Sequence, residues 1–124
     1  MRAPLVLALA VLLGSDGCHR SKPGDVVEVP GSVTVKIVNS NVLDVVIYVV
    51  HDAYRERLGD VTAKTTRSFE LPFRRLGAGH EFVLLADPVG SLDPIRTETV
   101  HPLDGQVMTW TLESDFARSH WEIF

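Results

Sequence analysis

Disulfide chemistry is closed to this chain, because its 124 residues contain a single cysteine, Cys18, and one thiol cannot form an internal bridge. An excess of basic charge is missing too. Twelve Lys and Arg stand against 16 Asp and Glu, for a formal charge of −4, which leaves no electrostatic footprint for nucleic acid. No apolar run approaches the roughly 20 residues that a membrane-spanning helix needs, so a polytopic membrane protein is excluded. The length allows one small domain and excludes a two-domain enzyme. Hydrophobic residues make up 45% of the chain, too many for a wholly disordered one.

Catalytic signatures are equally scarce. There is no Gly-x-Ser-x-Gly elbow to present a serine nucleophile. Gly77-Ala78-Gly79 lacks both the Lys-Ser/Thr of a phosphate loop and the third glycine of a dinucleotide fingerprint, and reads as a turn. A sandwich core of about 93 residues (124 − 31) leaves little room for a cleft between paired carboxylates. No enzyme activity and no cofactor are expected.

The first segment carries more information. Arg2 supplies one positive charge, and an apolar run follows to Leu13. That run has the size of a signal-peptide hydrophobic region. Ser15 and Gly17 place small residues at −3 and −1 before Cys18. A cysteine directly after such a site resembles the lipobox of bacterial lipoproteins, and the likeness covers residues 2–18. Ser15 stands where that family usually carries Leu, and Asp16 where it carries a small or apolar residue. The resemblance implies cleavage before Cys18, lipidation of its thiol, and a membrane-anchored, exported protein in the cell envelope. An exposed free thiol is a liability outside the cytoplasm, and acylation accounts for the position of the one cysteine.

The organisation expected is therefore a signal peptide at 1–17, a lipidated Cys18 with a polar tether at 18–31, and a folded domain at 32–124. His19 belongs to the tether. Residues 26–29 could add an edge strand.

Within 32–124 the hydrophobic period is two almost everywhere, the mark of half-buried strands. Strands are expected at 33–37, 42–50, 56–62, 65–71, 81–86, 97–101, 106–112 and 120–124. The run at 42–50 is β-branched and apolar on both faces, which suits the middle of a sheet. Residues 51–55 read as a hairpin connection, and Gly59-Asp60 as a bulge or tight turn. Residues 72–79 read as a loop or one helical turn. Phe69, Leu71, Met108, Trp110 and Leu112 fall on the inner face. Seven or eight short strands with turns between them predict an all-β antiparallel sandwich, with an immunoglobulin-like or transthyretin-like Greek key. The strand order and turn placement over 32–113 resemble small exported bacterial β-sandwich domains of uncharacterised function. That likeness implies the fold and no activity.

Candidate site residues are few. His51, His80 and His101 each fall at an expected strand end, and could hold a metal with Asp52 or Asp87 if those ends meet. Their spacing matches no zinc pattern, and solvated loop histidines are the plainer account. Asp52, Asp60, Asp87, Asp93 and Asp104 are expected in turns, where Asp bonds nearby amides. Arg74 and Arg75, with Arg67 and Arg96, could form a basic patch. Tyr54, at a hairpin tip, is the best exposed aromatic. The function expected is a non-catalytic binding or accessory module of the cell envelope, with membrane and an unknown envelope protein as partners. The alternative is a small-ligand or metal carrier.

Overall fold

The computed structural model describes residues 30–90 and 93–124. The expected signal peptide, Cys18, His19 and the edge strand at 26–29 lie outside the described residues. Within them the chain forms eight strands: β1 (Ser32–Asn39), β2 (Val45–His51), β3 (Tyr54–Val61), β4 (Thr66–Pro72), β5 (Val83–Pro88), β6 (Ile95–Arg96), β7 (Val107–Leu112) and β8 (His120–Ile123). Two short 3-10 turns, Phe73–Arg75 and Phe116–Arg118, follow β4 and precede β8.

The strands make two four-stranded sheets, ordered β4-β1-β7-β8 and β3-β2-β5-β6. All neighbours are antiparallel except β1 and β7, which run parallel. The links from β1 to β2, β3 to β4, β4 to β5 and β6 to β7 each change sheet. These crossings separate a Greek-key sandwich from a simple meander.

The core follows from the period-two pattern. Val33, Val35 and Ile37 of β1 face Val45, Ile47 and Val49 of β2, joined by Leu71, Leu84, Met108, Trp110 and Leu112. Each such buried aliphatic side chain contributes about 1.5–3 kcal/mol through removal from water. β2 lies between β3 and β5, as its two-sided apolar run demands. On its outer face the Arg55 guanidinium covers the Tyr48 ring at 4.0 Å.

Several local expectations shift by a residue or two. The bulge sits at Leu58, where Ile47 pairs with Gly59 and Tyr48 with Arg57, rather than at Gly59-Asp60. Asp60 lies in β3 and Asp87 in β5 rather than in turns. The strand expected at 97–101 is β6 at Ile95–Arg96 followed by one isolated bridge, Phe82 to Val100. The cause is Thr97. Its hydroxyl accepts the Leu84 N–H at 3.0 Å and donates to the Glu98 carbonyl at 2.7 Å. The side chain thereby replaces a ladder bond, and the register slips by one residue before pairing resumes at Val100.

The sandwich has two dissimilar ends. At one end the chain enters through Gly31 and Ser32, beside the turn at 103–106 and the 3-10 turn after β4. Phe73 N–H donates to Gly31 O at 3.0 Å, and Gly105 N–H to Ser32 O at 2.9 Å. Gly31 adopts φ +108, and a Cβ there would meet the Asp104 carboxylate at 2.9 Å, so only glycine fits the entry. The β2–β3 hairpin joins this end, since the Asp52 carboxylate lies over Gly77. The opposite end holds Asn39, Asn41 and the loops around them.

Candidate functional site

Among the shallow depressions on the described surface, three stand out. The first, about 200 Å³, lies at the entry end between the β2–β3 hairpin and the start of β5, lined by Val50, His51, Asp52, Glu81, Phe82 and Thr99 among others. Strand β2 delivers His51 to its rim, and a two-residue turn presents Asp52. The His51 Nδ1 is buried without a hydrogen-bond partner, 3.6 Å from the Asp52 carboxylate. The Tyr54 ring is tilted against the imidazole, with centroids 6.2 Å apart.

The other two candidate histidines take separate positions. His101 Nδ1 is 3.4 Å from Glu81, so it reaches the same depression through that carboxylate. His80 turns elsewhere and stacks on Phe73 at 4.7 Å with the rings 13° apart. Asp87 is paired with Val46 within the β2–β5 ladder. Among the described residues no three His, Cys, Asp or Glu side chains come together in a group that could hold a metal ion. The strand ends bring the histidines together in pairs with carboxylates, His51 with Asp52 and His101 with Glu81.

The second depression, about 290 Å³, opens between β6 and β8, with Ile95, Glu98, Phe116 and Trp121 in its lining and the buried Trp110 at its base. The Trp121 Nε1–H donates to Glu98 Oε1 at 2.8 Å. That bond, more than the Glu98 backbone bond that acts in the same direction, lowers the Glu98 pKa from its ordinary value of 4.5. The third, the largest of these three at about 520 Å³, lies beside the second 3-10 turn and is lined by Glu113, Ser114, Asp115, Arg118 and His120. His120 Nδ1 is 3.7 Å from Glu113 there.

The arginines do not form one patch. Arg75 pairs with Glu56, Arg67 lies 3.7 Å from Asp60, and Arg96 lies on β6. Tyr54 is exposed at its hairpin, as expected.

Two features escaped sequence reasoning. Asn39 and Asn41 are buried and bind backbone groups from three loops; their Asn-Ser-Asn spacing signalled a turn but not its burial. The Glu98–Trp121 pair joins residues 23 apart, and no local pattern announces it. The chain matches no protein-family model, and a search among curated proteins gave no significant match.

Proposed function

We propose that the protein is exported, anchored to a membrane by lipid on Cys18, and serves as a non-catalytic binding or accessory module of the cell envelope. The observation that carries this reading is the place of the only cysteine. It comes after a charged residue, an apolar run and a small residue, and precedes the first described residue, Pro30, by a short polar stretch. The sandwich supports the same reading as a rigid body that offers loops and the edge strands β3, β4, β6 and β8 to a partner. The absence of any nucleophile elbow or phosphate loop from the sequence supports a non-catalytic role.

A second reading, a small-ligand or metal carrier, is favoured by the unpartnered His51 Nδ1 beside Asp52 and by the His101–Glu81 pair. Fractionation and elemental analysis separate the two. Cys18→Ser should move the protein from the membrane to the soluble fraction of a bacterial host, with no metal above background in the purified parent chain. Stoichiometric metal, lost in the His51→Ala/His101→Ala variant, would favour the carrier instead. Membrane association of a Cys18→Ser chain whose mass shows residues 1–17 removed would refute the anchor.

A further inference from the structure

The exposed large hydrophobic residues are unevenly placed. Six are strongly exposed among the described residues: Val42 74%, Tyr54 71%, Val89 56%, Leu103 68%, Val107 41% and Phe124 80%. Val42 and Val89 lie at the Asn39–Asn41 end, where Val89 N–H donates to Asp44 O. The other four lie at the end where the chain enters β1. Val107 and Phe124 exchange both backbone hydrogen bonds, at 2.8 and 3.1 Å, so their side chains are cross-strand neighbours on the outer face of the sheet. Leu103 begins the turn that closes on Gln106, one residue before Val107. Gly105 in that turn bonds the carbonyl of Ser32, which ties the apolar group to the point of chain entry.

We propose that this end of the sandwich rests on the lipid bilayer, with Leu103, Val107 and Phe124 in the interfacial layer. The inference rests on the anchoring reading above and adds which face of the domain meets the membrane. Twelve residues, 18–29, separate the start of the expected mature chain from the described domain, a reach of at most about 40 Å when fully extended. A tether of that length, joined at the apolar end, lets that end reach the bilayer surface beside the anchor. Charge does not select the lipid. Arg74, Asp52, Glu81 and Asp104 put both signs at this end, so the contact depends on apolar burial rather than on headgroup charge.

The test attaches a single-chain, thiol-reactive lipid to Cys18 of the exported chain and measures partition into neutral phosphatidylcholine vesicles. One acyl chain alone binds weakly, at about 10⁴ M⁻¹, so any added contact is read directly. Leu103→Ser/Phe124→Ser should lower the partition coefficient about ten-fold or more, since two large apolar side chains are removed from the contact. Val42→Ser/Val89→Ser, at the far end, should change it less than about two-fold. All four residues are exposed, and equal thermal midpoints confirm that both variants fold. Unchanged partition of the first pair, or equal loss in both pairs, would overturn the proposal. The lipid is attached chemically, so this outcome is independent of natural acylation, which the mass of the membrane-extracted protein reads separately.

Discussion

The backbone N–H of Asn41 donates to the side-chain Oδ1 of Asn39 at 3.0 Å, in a buried setting. From this link the two amides spread over one end of the sandwich. Asn39 Nδ2 donates to the carbonyls of Leu43 and Val61 at 2.9 and 3.2 Å. Asn41 Nδ2 donates to the carbonyls of Glu113 and Ser114, both at 2.9 Å, and its Oδ1 accepts from Leu43 N–H at 3.0 Å. The pair thus joins the β1–β2 loop to the end of β3 and to the segment after β7, across both sheets.

Replacing either amide should be costly. Asn39→Ala or Asn41→Ala leaves buried backbone groups without partners, and each should lower stability by about 2–3 kcal/mol. Urea denaturation checks this through the midpoint at unchanged slope. A loss under about 0.5 kcal/mol, the level of an ordinary surface change, would show that water takes over the bonds.

The β2–β3 hairpin should accept improvement. His51 pairs with Tyr54, so Asp52 and Ala53 alone form the turn, with φ +47 and +69. Both values belong to the type I′ turn that favours glycine at its second position. A left-handed alanine costs about 1–2 kcal/mol, and glycine's greater unfolded-state freedom returns part of it. Ala53→Gly should therefore raise stability by up to about 1 kcal/mol, seen as a higher thermal midpoint. An unchanged or lower midpoint would show that the alanine is not strained there.

Gly59 sits where the two sheets meet at the β3–β4 edge. A Cβ there would lie 2.8 Å from the edge of the Phe69 ring and 3.1 Å from Arg67. Arg67 in turn covers that ring at 4.7 Å and donates to Asp60 O at 2.8 Å. Gly59→Ala must push the ring and the guanidinium apart, and should cost about 1–3 kcal/mol. Gly59→Ala/Phe69→Leu should recover part of that loss if the clash is the cause, which a double-mutant cycle measures.

The sandwich was legible because alternation is a local property. Val33, Val35 and Ile37, or Met108, Trp110 and Leu112, declare their face without reference to any partner. β6 departs from the alternation in its own sequence because the Thr97 hydroxyl intercepts a ladder bond, which depends on Leu84 lying opposite. The pairing of β1 with β7 is likewise invisible in either strand alone. Turn signals put the histidines at strand ends, but which ends meet is a matter of topology. Asp60 and Asp87 read as turn residues by type, yet each lies within a strand.

Glu98 should report its bond to Trp121 in acid. Its folded-state pKa is depressed chiefly by that indole N–H. The contribution of the ionised carboxylate is therefore full above the ordinary value of 4.5 and is lost as pH falls through the lower folded value. Trp121→Phe should raise the Glu98 titration midpoint toward 4.5, as followed by the side-chain carboxyl carbon in NMR. Identical midpoints in the parent and the variant would show that the indole does not hold the carboxylate.

The intact mass of the protein extracted from the membrane fraction of a bacterial host tests the central claim most directly. A chain that begins at Cys18 and carries acyl groups is the predicted result, and it would establish export and anchoring together. A chain that begins at Cys18 without lipid would contradict the anchor. A chain that retains Met1 would contradict export as well.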